Sequence, residues 1–313
     1  MPKKDMRKRR RFYVGELNHV YQKAVNGFNL FYSRYDYLVF YTIFSVCANA
    51  TDKVTILALC IMRDHWHMLV FAESREALSS FEDHYSFRFV REFNDFVGRK
   101  GRLLKKNFGS APKKGDKAVR TAISYVENNP VEKHLCKLAR DYRWNFLAYV
   151  NNRWPFSEKV NLMTCRRCLR RSMKEVDAML RQNLPLKYMQ LKRMFSGLNE
   201  METEQLTDYI ISSYLMFDYE ALISYFGSYE KMIMAIDSNT GSEYDIKEDY
   251  NPYSDKVYDD MMAYMQRSMS EIDVRKVIMA ENNIKKRFCE ILQNETAASV
   301  KQLRKLLHIT DGA

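Results

Sequence analysis

His65-Trp66-His67 and, further along, Tyr125 with Asn129 are the residues whose types and spacing are best suited to chemistry. On an extended strand residues i and i+2 point to the same side. The two imidazoles would therefore project together, close enough to share a divalent ion. Trp66 would turn the other way with Met68 and Val70, into a core. Two imidazoles leave coordination positions open for a phosphate oxygen and for water, as a catalytic metal requires. The second group lies in KAVRTAISYVENNPVEKHL, where Val119, Ala122, Ile123 and Val126 form an apolar stripe at helical spacing. Tyr125 flanks that stripe, and Asn129, four residues on, shares its face. A tyrosine hydroxyl beside a divalent ion can attack a phosphodiester, with the ion offsetting the charge that builds up. The amide oxygen of Asn129 would then be the third ligand. Asn128 stands as its alternative, because a residue preceding proline (here Pro130) is pushed from helical geometry.

Both groups also have plainer readings. Histidines spaced in this way are more often satisfied structural residues than ligands. The chain has 21 tyrosines, most of which must pack or lie on the surface. From helix position alone, Tyr125 is more readily a half-buried packing residue than a nucleophile.

The elements that would position these side chains can be read from periodicity. Asn18–Val25 reads as a strand, and Arg34–Ala48 as a buried, aromatic-rich helix. Lys53–Met62 is an apolar, partly β-branched run suited to a central strand. Arg63-Asp64 turns the chain into a second strand, His65–Ala72, whose apolar flanks make it central and rigid. Arg75–Phe96 has helical spacing, Gly98 and Gly101 punctuate, and Leu103–Phe108 is a short strand. Asp116 would cap a helix running to about Asn128, which Pro130 stops. The order β-α-β-β-α-β, followed by one more helix, fits an α+β fold with a split βαβ, ferredoxin-like antiparallel sheet and helices on one face.

At 313 residues the chain is long enough for two domains. Its net charge of +11 is unevenly spread. Residues 1–160 carry 29 Lys and Arg against 16 Asp and Glu, and residues 161–313 carry 21 against 23. A basic first half favours a polyanion, nucleic acid first. The residues expected to bind it fall in four places. One is the arm with Arg7, Lys8, Arg9 and Arg10. The second is Arg99, Lys100, Arg102, Lys105 and Lys106 beside the fourth strand. The third is a loop with Lys113, Lys114 and Lys117, and the last is Arg166 and Arg167. The latter pair lies within Cys165–Cys168, whose zinc-like spacing lacks a second pair and reads as a basic helix. Six scattered cysteines are no disulfide scaffold. No apolar run is long enough to span a bilayer, and no secretory core follows the basic first residues. A cytoplasmic, nucleoid-associated protein without membrane contact is expected.

The same stretches resemble the single-tyrosine HUH transposases of bacterial insertion sequences, with the REP-associated tyrosine transposases as the nearest branch. The resemblance runs from about Asn18 to Tyr149. It includes HVYQKAVNGFNLFYS, ILALCIMRDHWHMLV, FNDFVGRKGRLLKKNF, ISYVENNPVEKHLC and DYRWNFLAY, in that order. It implies that His65 and His67 are the two histidines of the HUH motif, Tyr125 the nucleophile and Asn129 a polar third ligand. It further implies a Mg²⁺- or Mn²⁺-dependent endonuclease and strand transferase acting on single-stranded, hairpin-bearing DNA. Such enzymes leave a 5′-phosphotyrosine and a free 3′-hydroxyl.

The expected organisation is a basic arm at 1–12, a nuclease domain at 13–154 and a helical region at 155–313. Ser238–Pro252 is the strongest loop candidate. Ser299–Leu307 would begin a partial helix-turn-helix near 258–313, with no full recognition helix after it. A homodimer is among the expected assemblies, with the tyrosine helix serving its own site or its neighbour's. The competing function is a domesticated DNA- or RNA-binding regulator that no longer cuts, and a third is a scaffold acting through the helical half.

Overall fold

A computed structural model describes residues 12–238, 255–268 and 274–310. Arg7, Lys8, Arg9 and Arg10 of the expected arm, and nearly all of the expected 238–252 loop, lie outside the described residues.

The first half consists of β1 (Leu17–Lys23), α1 (Arg34–Asn49), β2 (Val54–Ile61), β3 (His65–Ala72), α2 (Arg75–Val97), β4 (Gly109–Lys113) and α3 (Gly115–Glu132). The four strands form one sheet in the order β2-β3-β1-β4, and every neighbouring pair is antiparallel. This is the split βαβ order expected from the sequence. β3 is central, as expected. β2 is not: it lies at an edge of the sheet. Its continuous apolar run arises because both its faces are covered and its open edge is capped. Asp218 N donates to Ile56 O, and the Tyr142 hydroxyl donates to Ile61 O. Such covering removes the hazard of an unpaired edge. A register shift between Ile56 and Ala58 lets Ile56 and Leu59 face the same layer.

The fourth strand is displaced from its expected place at Leu103–Phe108. Leu103 and Leu104 are instead buried loop anchors, with Val25 N donating to Leu103 O and Leu104 bridging Ala24. The actual β4 contains Pro112, which only an edge strand tolerates. Gly109 there lies flat against Tyr21: a Cβ would fall 2.0 Å from the ring.

The two faces of the sheet bury different sets. Val20, Ile56, Leu59, Trp66, Met68 and Val70 pack with α1 and α2 on one face. Leu17, Ala58, Cys60 and Leu69 pack with Val119, Ala122, Ile123 and Val126 of α3 on the other. The helix bearing Tyr125 therefore lies against the face on which the alternation of β3 places His65 and His67. Ser33 and Asp36 form a capping box at the start of α1, and Ser74 accepts from Ala77 N at the start of α2. Helix α3 begins after Lys114 rather than at a cap on Asp116, and it includes Pro130. Pro130 has no N–H to give Val126 O, so one helical hydrogen bond is missing close to the end of α3.

Nine further helices follow among the described residues: α4 (Arg167–Arg181), α5 (Tyr188–Phe195), α6 (Glu200–Ser213), α7 (Tyr219–Ser224), α8 (Tyr229–Ser238), α9 (Val257–Ser268), α10 (Val274–Val277), α11 (Asn282–Glu295) and α12 (Val300–Leu307). The mostly helical second half expected from the sequence is present. Its core is continuous with the first: Leu206, Ile210, Leu303 and Leu307 belong to the same apolar cluster as Trp66 and Phe40. Polar bonds reinforce the junction. Asp36, fully buried, accepts from the Tyr188 hydroxyl at 2.8 Å and from Arg275 at 2.9 Å. The expected helix at Ser299–Leu307 is α12, capped by Ser299, and no helix follows it among the described residues. No helix among the described residues is long and apolar enough to cross a membrane.

Candidate active site

Strand alternation separates the residues of the His65-Trp66-His67 tripeptide. Trp66 is fully buried on the α1/α2 face, its ring 4.5 Å from that of Phe40 and its Nε1–H donating to the Tyr85 hydroxyl at 2.9 Å. On the opposite face the His65 and His67 ring centroids are 5.0 Å apart. α3 brings Tyr125 over them, its ring 5.7 Å from that of His67. Three side chains from two separate stretches thus meet within one chain. His67 and Asn129 are fully buried, and Tyr125 is 4% exposed.

A third imidazole, which periodicity alone does not single out, belongs to the group. His19 of β1 lies opposite Leu69, so it is a diagonal neighbour of His67 on the same face. Its Nε2 is 3.0 Å from His67 Nδ1, and its ring is 5.6 Å from that of Tyr125. The signal was present in NHVYQK, where His19 alternates with Tyr21 in a strand already recognised.

The hydrogen bonds select tautomers. His65 Nδ1 lies 2.5 Å from Asp64 Oδ1. An ionised carboxylate can only accept, so His65 donates from Nδ1, which makes Nε2 the nitrogen that could meet an ion. If His67 likewise donates Nδ1–H to His19, it too presents Nε2. A ligating histidine fixed by a partner on its other nitrogen is the usual arrangement in metal sites. Burial opposes the ionisation of Asp64. The neighbouring His65 and Lys305 outweigh it and hold that carboxyl well below the usual range.

Asn129 supplies the strongest indication of a ligand. Both amide atoms of its side chain are buried without a hydrogen-bond partner, a situation that costs about 1–3 kcal/mol per group. Among the described residues no group of three or more His, Cys, Asp or Glu is arranged to hold a metal. A site here would instead use two imidazoles and an amide oxygen. Such donors carry no negative charge, so a divalent ion on them would keep its full charge for a phosphate. By donor type, imidazoles suit transition ions and an amide oxygen suits harder ones, so of Mg²⁺ and Mn²⁺ such a set would match Mn²⁺ better, with positions left for substrate oxygens. Asn128, the alternative ligand, is tied to α8 through its Nδ2, which donates to Ile236 O.

Lys133, one turn beyond Asn129, lines a cleft of about 280 Å³ together with His65, Lys23 and Lys105. Of the basic residues expected to meet nucleic acid, Lys105 is the one brought to this cleft. Arg99 is tied into its own turn, donating to Asn94 Oδ1 and Arg102 O. Lys100, Arg102 and Lys106 are exposed on the same loop. Lys113 is buried at the end of β4 rather than lying in a loop, and the Lys114 ammonium sits 3.8 Å from the centroid of the Tyr13 ring. Lys117 is exposed in the first turn of α3. Arg166 pairs with Glu202, while Arg167 is exposed on α4 beside Arg171 and Lys174.

No family model and no curated protein matches the chain. Among solved structures it is similar to a REP-associated tyrosine transposase bound to a REP hairpin. The identity is 19%, over 44% of this chain and 81% of that one, with a TM-score of 0.37.

Proposed function

We propose that the protein is a metal-dependent single-stranded DNA endonuclease and strand transferase with Tyr125 as nucleophile. The observation that carries this reading is the meeting of His65, His67 and Tyr125 on one sheet face beneath α3, whose Asn129 amide is buried and unpartnered.

In this reading the Nε2 atoms of His65 and His67 and the Oδ1 of Asn129 would hold the ion. When bound, it would polarise a phosphate and neutralise charge developing on its oxygens. The protein's own residues perform the rest. Tyr125 Oη attacks phosphorus, forming a Tyr–O–P bond as the P–O3′ bond breaks. The phenolic proton is given up, and a proton is taken up by the leaving 3′-oxygen. A 5′-phosphotyrosine and a free 3′-hydroxyl result, and attack by a 3′-hydroxyl reverses the step and rejoins strands. The rigid β3 platform and the packed α3 stripe hold the reactants without further ordering, which is where much of the rate advantage of an oriented site arises. Lys105 and Lys133 line the same cleft as His65, and in this reading they would meet an incoming phosphate backbone.

The test is a denaturing gel with single-stranded, hairpin-bearing DNA from the gene's own flanks, in Mn²⁺. The wild type should form a covalent protein–DNA adduct, and Tyr125→Phe should form none while still binding the hairpin. An adduct surviving in Tyr125→Phe places the nucleophile elsewhere. Tight hairpin binding with no cutting by the wild type selects the non-cleaving regulator instead.

A further inference from the structure

We propose that α12, the last helix among the described residues, forms one wall of the channel that leads a DNA strand to His65, with Lys301 and Lys305 taking backbone phosphates. This rests on the nuclease reading and extends its substrate site to a part of the chain outside the resemblance to known transposases.

The helix is fixed against the first half by buried polar bonds and apolar packing. Asn29 N donates to Lys305 O at 3.1 Å, and the Tyr32 hydroxyl donates to Leu306 O at 2.9 Å. The Phe28 ring stacks on His308 at 4.5 Å, and Leu303, Leu306 and Leu307 are buried. This docking carries Lys305 to the His motif itself. Its Nζ is 3.3 Å from Asp64 Oδ2, and the other oxygen of that carboxylate bonds His65 Nδ1.

Two adjoining cavities share Asn26, Lys301 and Lys305. The inner one, about 280 Å³, reaches His65. Among the described residues its lining cations outnumber its two carboxylates, Asp64 and Asp255, of which Asp64 is engaged by His65 and Lys305. The outer one, about 640 Å³, adds Arg304 and, among the described residues, has no acidic residue in its lining. Phe28, Val300 and Ile309 give it an apolar floor. A single phosphate would fill neither cavity. A row of cations continuous over both, with Val300 exposed and Ile309 half-buried beside it, matches a polyanion with regularly spaced charges. Each phosphate neutralised by such a lysine releases counterions, which makes binding salt-dependent.

The experiment measures the affinity of the full chain for a fluorescent DNA hairpin with a single-stranded flank, as a function of salt. It is done in the Tyr125→Phe background so that no cutting intervenes. Lys301 and Arg304 are exposed on α12, so Lys301→Gln with Arg304→Gln tests charge without disturbing the core. Lys305→Gln is measured separately because it touches Asp64, and Lys231→Gln on α8 is the control. Removing one phosphate-binding cation should flatten the plot of log affinity against log salt by about 0.7 and weaken binding on the order of fivefold at 0.1 M salt. Lys301→Arg should keep the wild-type slope, and Lys231→Gln should change nothing. An unchanged slope in Lys301→Gln/Arg304→Gln overturns the proposal, as does a slope change seen with RNA of the same sequence but absent with DNA. If the wild type forms no adduct, the nuclease reading fails while the slope remains readable. If it forms the adduct and the slope is unmoved, only the role of α12 fails.

Discussion

His67 Nδ1 lies 3.0 Å from His19 Nε2, so one imidazole of the candidate centre is held in place by another from the adjacent strand. The interaction crosses the sheet diagonally and fixes the ring of His67 with its Nε2 directed away from β1. Removing such a partner typically weakens a metal site by about 10- to 100-fold. His19→Phe, which fills the space but accepts no hydrogen bond, should lower Mn²⁺ affinity by that factor in calorimetry. His19→Gln, which offers an acceptor oxygen, should recover part of it. Unchanged affinity in His19→Phe would reduce His19 to a packing residue.

Asn129 presents a stability cost that a ligand would relieve. Its side chain is fully buried and its amide atoms make no hydrogen bond. Asn129→Leu replaces the unmet amide with an apolar group of similar length, so in metal-free buffer the variant should be more stable by about 1–2 kcal/mol. It should also lack the rise in melting temperature that Mn²⁺ gives the wild type. A less stable variant, or one still stabilised by Mn²⁺, would show that the amide is not a ligand held ready for the ion.

These two histidine and asparagine relationships also show what the sequence could convey. His65 and His67 were legible because period 2 on a strong apolar strand dictates a shared face, and β3 begins and ends where that pattern does. α3 was legible from its apolar stripe, although Pro130 proved compatible with its last turn. His19 is separated from His67 by 48 residues, and only the antiparallel β1–β3 register makes them neighbours. Lys305, 241 residues from Asp64, is further still. Periodicity is local information, and neighbours brought together by docking of distant helices leave no local pattern. The error at the fourth strand has the same origin. Leu103 and Leu104 are apolar because a loop buries them, while the true strand reads GSAPK, a sequence an edge position alone permits.

Trp66 allows the core and the site to be separated experimentally. It faces α1 and α2, fully buried, with its Nε1–H bonded to the Tyr85 hydroxyl. Trp66→Phe removes that donor and leaves a small cavity, which should destabilise the chain by about 2–4 kcal/mol in urea titration. The histidines on the other face should keep their spacing, so Mn²⁺ affinity at low temperature should change by less than about twofold. An equal loss of metal affinity would mean that the bulk of Trp66 sets the tilt of β3, and with it the geometry of the imidazoles.

His308 couples the docking of α12 to acidity. It occupies the left-handed position that ends the helix, with its ring against Phe28 and its Nε2 2.8 Å from both Asn29 O and the Tyr32 hydroxyl. A carbonyl only accepts, so Nε2 is a nitrogen that carries a proton. Burial lowers its pKa to about 4; the bond to Asn29 opposes this, while Arg99 and Lys285 add to it. In the unfolded chain the same ring titrates near its ordinary value. Below that value the unfolded state binds the extra proton, so the contribution of His308 is fully present above about pH 6.5 and is lost as the pH falls towards 4. His308→Asn tolerates the left-handed backbone but removes the ring. It should be less stable than the wild type at pH 7, and this gap should narrow by on the order of 2 kcal/mol between pH 7 and pH 5. Over the same range, amide exchange in α12 of the wild type should accelerate before that in β3. A stability gap that stays constant with pH, or α12 protection that outlasts β3, would show that His308 does not titrate against this docking.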